Sequence, residues 1–142
     1  MKQILVLNGP NLNMLGIREP DLYGRVTYEE LCAMIRKRAE ELGVGVSLYQ
    51  SNSEGDLVTR IQQALGKEDA IIINPGAYTH TSIAILDALK TVNLPAAEVH
   101  LTDISKREAF RQVSYAGMAC EKHYIGLGVE GYIKALEDLA NS

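Results

Sequence analysis

The sequence has too few cysteines and too short apolar runs for several common classes of protein. Its only cysteines are Cys32, within a helical pattern, and Cys120, just before a strand pattern. Such places are typical of small buried side chains in a reducing compartment. No apolar stretch approaches the ~20 residues that span a bilayer, and the apolar run at residues 4–7 is too short for a signal peptide. We therefore expect a cytoplasmic protein that folds without disulfides.

Positive charge is also scarce. The 142 residues carry a formal net charge of -4, which argues against nonspecific binding to the phosphate backbone of nucleic acids. Hydrophobic residues make up 46% and charged residues 23% of the chain, a globular balance that argues against disorder. A chain of this length fits one domain, so we predict a single domain over residues 1–142.

Short apolar runs alternate with amphipathic segments along the chain. The runs are typical of parallel strands buried on both faces. The segments between them are predicted helices, the first capped by Thr27 and ended by Gly43, and a capping-box pattern at Ser105–Glu108 predicts a further short helix. Right-handed crossovers then favour a doubly wound, three-layer α/β/α fold. Its five-stranded parallel sheet would use residues 4–8, 46–49, 70–74, 96–100 and 122–126.

One connection is too long for a strand–helix loop. Such loops usually need ~2–6 residues, but here the chain runs from residue 8 to residue 25 without clear periodicity. Gly16 and Gly24 flank a charged, aromatic stretch that contains Arg18 and Tyr23, and glycines permit pivoting at such places. Long ordered loops of this kind are often lids. We therefore predict a functional lid.

Polar side chains follow the predicted strands at the edge where ligands bind in an open α/β sheet. Asn11 follows the first strand, and Asn74 and His80 follow the third. Glu98 and His100 lie two residues apart on the fourth strand, so they share one face. That spacing suits a carboxylate that orients an imidazole. With a tyrosine and an arginine on the nearby lid, the pattern favours acid–base chemistry.

Other interpretations of these motifs remain open at this point. Gly126–Gly131 matches G-x-G-x-x-G, but no following strand with an acidic residue ~20 positions later is present, so close helix–strand packing explains the glycines better. His80, His100 and Glu98 are possible zinc ligands of a metallohydrolase. A non-catalytic flavodoxin-like module that binds a small anion or a protein is the second alternative. His123 lies inside the fifth strand and is predicted to be structural.

Taken in order, the motifs resemble those of the type II 3-dehydroquinases. The resemblance covers essentially the whole chain and implies a flavodoxin-like, cofactor-free lyase that assembles as a homododecamer of trimers. It implies the dehydration of 3-dehydroquinate to 3-dehydroshikimate in the shikimate pathway, by anti elimination through an enolate. It is carried by Asn8–Asn13, Arg18–Pro20 with Tyr23-Gly24, Gln50–Asn52, Asn74–Ser82, Glu98–His100 and Gly126–Gly128.

The resemblance also implies a role for each site residue. Tyr23 would take a proton from the carbon next to the substrate ketone, Arg18 would lower its pKa, and Asn11 would hold a water beside the enolate oxygen. His100 would protonate the departing hydroxyl, and Glu98 would orient its ring. The remaining residues would bind substrate: Asn74, His80, Arg111, the backbone of Leu101 and Thr102, and Asp87 of a neighbouring subunit.

Two features of the sequence bear on this chemistry. A free tyrosine ionises near pH ~10, so a shift of ~3 units, or about 4 kcal/mol, is needed at neutral pH. One close arginine shifts an acid by ~1–3 units, and Arg107 is a candidate for a second cation beside Arg18.

Thr102-Asp103 stands where the family commonly has Ser-Asn. Asp103 would place a negative charge near the expected anion site.

Overall fold

A computed structural model describes residues 1–17 and 25–142 of the chain. Within them one sheet has five strands: β1 (Gln3–Asn8), β2 (Gly45–Gln50), β3 (Ala70–Asn74), β4 (Ala96–His100) and β5 (Lys122–Ile125). All neighbouring pairs are parallel, and the strand order is β2-β1-β3-β4-β5. The predicted doubly wound sheet is confirmed.

In the part of the chain that the structure describes, four α-helices cover the two faces of this sheet: α1 (Tyr28–Leu42), α2 (Glu54–Gln63), α3 (Ile83–Val92) and α4 (Glu130–Ala140). Successive side chains of a strand point to opposite faces, and β1 shows this alternation clearly. Ile4 and Val6 pack in the core beneath α1 and α4, whereas Leu5 and Leu7 pack in the core beneath α2 and α3. The three-layer arrangement predicted from the sequence is therefore present.

The sequence signals at the start and end of the first helix are also confirmed. Thr27 Oγ1 accepts a hydrogen bond from the Glu30 N–H at 3.1 Å, and Glu30 Oε1 accepts one from the Thr27 N–H at 3.2 Å. Gly43 ends the helix with a φ of 70°, a left-handed conformation that costs glycine little. The helix that follows the predicted lid thus has a well-defined first turn.

The short helix predicted at Ser105–Glu108 is wrong. Ser105 does not cap a helix, because its own N–H and hydroxyl both donate to Asp103 Oδ1, at 3.0 and 2.6 Å. Arg107 and Glu108 are extended, so no α-helix continues through them. Between β4 and β5 the chain instead forms three short 3-10 helices, Ile104–Lys106, Ala109–Arg111 and Ala116–Ala119.

Cys32 is buried, Cys120 is half-buried, and neither forms a disulfide. In residues 1–17 and 25–142, none of the helices combines the length and the apolar character needed to cross a bilayer.

Candidate active site

A pocket lies beyond the carboxyl ends of β1, β3 and β4, at the edge that the sequence predicts. Its volume, including the mouth that opens to solvent, is about 660 Å³. The loops after these strands and the 3-10 segments after β4 form its walls. Eight predicted site residues line it: Asn11, Asn74, His80, His100, Leu101, Thr102, Arg107 and Arg111.

Of the other four predicted site residues, Glu98 and Asp87 are not part of this lining. Tyr23 and Arg18 lie outside the described residues, so the base and its cation remain predictions. Glu98 is buried behind His100 and contacts its ring. Asp87 is exposed on α3 and does not line the pocket of its own chain, so its predicted role requires a second subunit.

Two glycines allow the loops after β1 and β3 to pack directly against each other. A Cβ on Gly9 would overlap the carbonyl oxygen of Pro75, and a Cβ on Gly76 would lie 2.9 Å from the carbonyl oxygen of Pro10. Gly76 also has a φ of 61°, which favours glycine. This close approach brings Asn11 and Asn74 into the same pocket.

His100 is held by a buried carboxylate. His100 Nε2 lies 3.0 Å from Glu98 Oε2, Ser114 Oγ donates to the same oxygen at 2.7 Å, and His123 Nδ1 contacts Oε1. Burial alone would raise the pKa of Glu98, but these hydrogen bonds lower it to about 2. The carboxylate is therefore ionised and accepts at both oxygens. Because Nε2 of His100 carries the hydrogen toward Glu98, Nδ1 is the nitrogen that can act in the pocket.

His80 presents a neutral ring to the pocket. Its Nδ1 donates to the Val113 carbonyl at 2.7 Å, since a carbonyl oxygen can only accept. Burial lowers the pKa of His80, and the nearby charges of His100, Arg111 and Arg107 lower it further. Near neutral pH the ring is uncharged, so its Nε2 is a hydrogen-bond acceptor.

Asn74 is oriented by a buried tyrosine that the sequence analysis missed. Asn74 Nδ2 donates to the Tyr132 hydroxyl at 2.9 Å, and Asn74 Oδ1 accepts from the Gly76 N–H at 3.2 Å. The Tyr132 hydroxyl donates to Asn8 Oδ1 at 2.7 Å, and Asn8 Nδ2 donates to the Tyr28 hydroxyl at 3.3 Å. These contacts leave one N–H of Asn74 for a ligand. A tyrosine on the buried face of an amphipathic helix predicts packing only, so no sequence signal marks this role.

Arg107, Arg111 and Thr102 give the part of the pocket wall that follows β4 two positive charges and a hydroxyl group. Arg107 Nη1 donates to Thr102 Oγ1 at 3.1 Å, which leaves the hydrogen of that hydroxyl for another acceptor. Arg111 lines the pocket while its Nε donates to Glu108 Oε2 at 2.7 Å. Two guanidinium groups and a hydroxyl donor form a suitable site for a carboxylate.

Comparison with known proteins decides the family. The family described as "Dehydroquinase class II" matches residues 2–140. The chain belongs to this family. It is 53% identical over 137 residues to a 3-dehydroquinate dehydratase of Caldicellulosiruptor bescii, covering 96% of this chain and 94% of the relative. It is 48% identical over 139 residues to that of Clostridium acetobutylicum, covering 98% and 96%.

Solved structures of class II dehydroquinases have the same fold. The type II dehydroquinase of Butyrivibrio crossotus superposes with a TM-score of 0.96 at 46% identity, covering 99% of this chain and 98% of the other. The flavodoxin-like fold implied by the resemblance is thereby confirmed.

In this class II dehydroquinase the two remaining sequence motifs have structural explanations. A Cβ on Gly131 would lie 3.2 Å from Val99 Cγ1, so its glycine permits close helix–strand packing, as predicted. His80, His100 and Glu98 do not form a metal-ligand set, and no group of three or more His, Cys, Asp or Glu side chains in the described part of the chain could hold a metal ion.

Asp103 affects the pocket less than its charge suggests. Its carboxylate accepts two hydrogen bonds from Ser105, which lower its pKa and keep it ionised. It is absent from the lining of the pocket and lies near Gly126, where an added Cβ would be 3.2 Å from Asp103 Cβ. The carboxylate of Asp103 therefore points toward Ser105 in its own turn, while Arg107 and Arg111 line the pocket.

Proposed function

We propose that this chain dehydrates 3-dehydroquinate to 3-dehydroshikimate with Tyr23 as the base and His100 as the acid. The reaction follows from family membership: the chain is a type II 3-dehydroquinate dehydratase, a hydro-lyase of the shikimate pathway. The observation that supports the acid assignment is the buried, ionised Glu98 bound to Nε2 of His100. That hydrogen bond fixes the tautomer and orientation of the ring and leaves Nδ1 to act in the pocket.

Substrate binding is assigned from the hydrogen-bonding capacity left at each side chain. Asn74 has one N–H to donate, and His80 Nε2 accepts, so together they suit two hydroxyl groups of a sugar-like ring. Arg111, the Thr102 hydroxyl and the backbone N–H groups of Leu101 and Thr102 suit the carboxylate. Asp87 of a neighbouring subunit would complete the site.

In the first step Tyr23, ionised beside Arg18, takes a proton from the carbon next to the ketone. Arg107 would be the second cation that acts on Tyr23, since its guanidinium lies at the pocket wall and donates to Thr102. Two cations of this kind are enough for the shift of ~3 units that a tyrosine base requires at neutral pH. The electron pair moves onto the ketone oxygen as an enolate, and a water held by Asn11 donates to it.

In the second step the enolate collapses and the carbon–oxygen bond on the opposite face breaks. His100 gives its Nδ1 proton to the departing hydroxyl, which leaves as water, and the product is a conjugated enone. Glu98 remains ionised throughout. No metal or Schiff base is needed for this sequence of proton transfers.

The test follows the ultraviolet absorbance of the enone in Tyr23→Phe and His100→Ala. We expect each variant to lower kcat by about 10²–10⁴-fold, the usual contribution of a positioned acid or base, with substrate binding largely retained in Tyr23→Phe. Tyr49→Phe, on β2, is a matched control and should keep normal turnover. Normal kcat in Tyr23→Phe or His100→Ala would remove that residue from its role. Binding without turnover in the unaltered protein would favour the non-catalytic alternative.

We also propose that this catalytic unit is one cytoplasmic domain, residues 1–142, that works without a cofactor in a homododecamer. The family resemblance supports the assembly, and the exposed position of Asp87, which does not line its own pocket, agrees with a site shared between subunits.

A further inference from the structure

The buried carboxylate of Glu98 is bound by two imidazole rings, those of His100 and His123. Glu98 and His123 are register partners on β4 and β5. His100 Nε2 binds Oε2 from the pocket side, and His123 Nδ1 contacts Oε1 from the other side. The two rings differ in their environment: 7% of the His100 side chain is exposed, against 43% of the His123 side chain. His123 thus joins the buried pair to solvent.

The rest of the carboxylate is enclosed by Ser114 and by the 3-10 segment at Ala116–Ala119. Ser114 Oγ donates to Oε2 at 2.7 Å and accepts from the Gly117 N–H at 3.0 Å and from Thr79 Oγ1 at 2.7 Å. A Cβ on Gly117 would lie 2.5 Å from Oε1 and 2.8 Å from Oε2. The backbone therefore covers the carboxylate closely, and among the described residues His123 is the donor to Oε1.

We propose that His123 is a positioning residue for the acid step: through Glu98 it limits how tightly His100 retains its proton. This inference rests on the proposed role of His100 as the acid. A donor on Oε1 withdraws charge from the carboxylate and thereby weakens its hold on the His100 imidazolium. A less tightly held proton makes His100 a stronger acid for the departing hydroxyl.

Among the described residues, Arg107 and Arg111 line the same pocket as His100, and four further titratable side chains lie near Glu98, His100 or His123. Cys120 precedes β5 and lies close enough to Glu98 for the carboxylate to raise the pKa of its thiol, after the larger effect of burial. Glu121 and Lys122 precede His123 in the chain, and His80 lies across the pocket from His100. Within residues 1–17 and 25–142, Glu98 is hydrogen-bonded to His100, Ser114 and His123 and to none of these four side chains.

The experiment compares pH profiles of kcat for the unaltered enzyme and for His123→Val and His123→Asn. Valine suits a strand but has no donor, whereas the Asn amide N–H can replace Nδ1–H without a charge. We expect His123→Val to move the alkaline limb of kcat upward by about one pH unit, the order of effect of one lost neighbouring interaction. Its plateau kcat should fall by about 2–10-fold with KM unchanged. His123→Asn should restore both toward normal.

Two results would overturn the inference. One is an unchanged alkaline limb in His123→Val, and the other is an equal shift in His123→Val and His123→Asn. Lys122→Gln, next to His123 on β5, controls for a change of charge alone and should leave the profile unchanged. His100→Ala separates the two proposals: if it keeps normal kcat, the acid assignment fails and the inference with it. If it is inactive while His123→Val has a normal profile, only the inference about His123 fails.

Discussion

At the scale of single residues, the pocket is defined by what each side chain has left after its internal hydrogen bonds are made. Asn74 keeps one N–H for a ligand, because its other N–H donates to Tyr132 and its side-chain oxygen accepts from the Gly76 N–H. His80 keeps an acceptor because Val113 takes its Nδ1–H. A ligand must therefore accept at Asn74 and donate at His80, which adjacent hydroxyl groups do well. Ligand recognition therefore depends on Tyr132, Gly76 and Val113, which orient Asn74 and His80, as much as on the lining residues.

Tyr132→Phe tests the partner of Asn74. The change leaves Asn8 Oδ1 without its 2.7 Å donor and Asn74 Nδ2 without its 2.9 Å acceptor, both in a buried region. Leaving such groups unpaired costs about 1–3 kcal/mol each, so we expect unfolding in urea at lower concentration. The released amide can also rotate, so KM should rise about 10-fold with a smaller change in kcat.

Tyr28→Phe is the matched control for that prediction. The Tyr28 hydroxyl accepts from Asn8 Nδ2 at 3.3 Å, and it does not contact Asn74. We expect a smaller loss of stability, about 1 kcal/mol, and a normal KM. Equal values of KM in Tyr132→Phe and the unaltered enzyme would show that Asn74 does not depend on Tyr132.

Glu98 makes the stability of the protein depend on pH in the acid range. Its pKa falls from 4.5 to about 2 in the folded chain, so the unfolded chain binds more protons between these values. The stabilisation is fully present above about pH 4.5 and is lost as the pH falls toward 2. It amounts to about 3 kcal/mol at 1.36 kcal/mol per unit.

Urea unfolding of Glu98→Gln at pH 7, 4 and 3 measures this contribution. We expect the variant to be less stable than the unaltered protein at pH 7, with the gap narrowing as the pH falls. A gap that stays constant across the three values would contradict the ionised state assigned to Glu98.

At the scale of elements, the 3-10 segment at Ala116–Ala119 shapes the site because it lies against the Glu98 carboxylate. Gly117→Ala would place a Cβ 2.5 Å from Oε1, and the carboxylate is held by three partners, so it cannot move without losing a contact. We expect a loss of about 1–3 kcal/mol and a fall in kcat of about 10–10²-fold. Denaturation and steady-state kinetics give the two values.

Gly55→Ala is the corresponding control in α2. Among the described residues, a Cβ there would meet only Ser53 Oγ, at 3.8 Å, and alanine is the better helix former by about 0.5–1 kcal/mol. We expect slightly higher stability and unchanged kcat. A Gly117→Ala enzyme with the same behaviour would mean that the segment leaves room for the carboxylate to shift.

The elements also show where sequence reasoning succeeds and where it stops. The two-residue period of a strand was enough to place Glu98 and His100 on one face, and residue types at helix ends were enough for the Thr27 capping box. The segment between β4 and β5 has no such period. The contacts of Val113 with His80 and of Ser114 with Glu98 depend on three successive 3-10 turns. The capping-box pattern at the first of these turns predicts an α-helix that does not form.

Contacts between distant elements lie beyond local patterns for the same reason. Tyr132 meets Asn8 from 124 residues away, and His123 meets Glu98 only because β5 pairs with β4 in one particular register. A histidine within a strand pattern and a tyrosine on a buried helix face predict packing, so neither role was apparent from the sequence.

At the scale of the whole molecule, the pocket of one chain lacks one of its predicted residues. Asp87 is exposed on α3 and is absent from the lining, although the other described substrate-binding residues are present. An isolated carboxylate on a helix surface contributes little to binding in its own chain. If Asp87 lies at the interface of a closed ring, as proposed above, the same side chain would face a neighbour at every interface.

Complementation between two inactive variants tests whether the site is shared. His100→Ala protomers keep Asp87, and Asp87→Ala protomers keep His100, so each pure oligomer should have low activity. When the two are unfolded together and reassembled in equal amounts, about one quarter of the sites should combine a normal His100 with a neighbour's Asp87, if the subunits mix at random in a ring. We expect about that fraction of the normal kcat to return, measured by enone absorbance, with native mass spectrometry confirming mixed oligomers. If Asp87 acted within its own chain, mixed oligomers would form without any recovery.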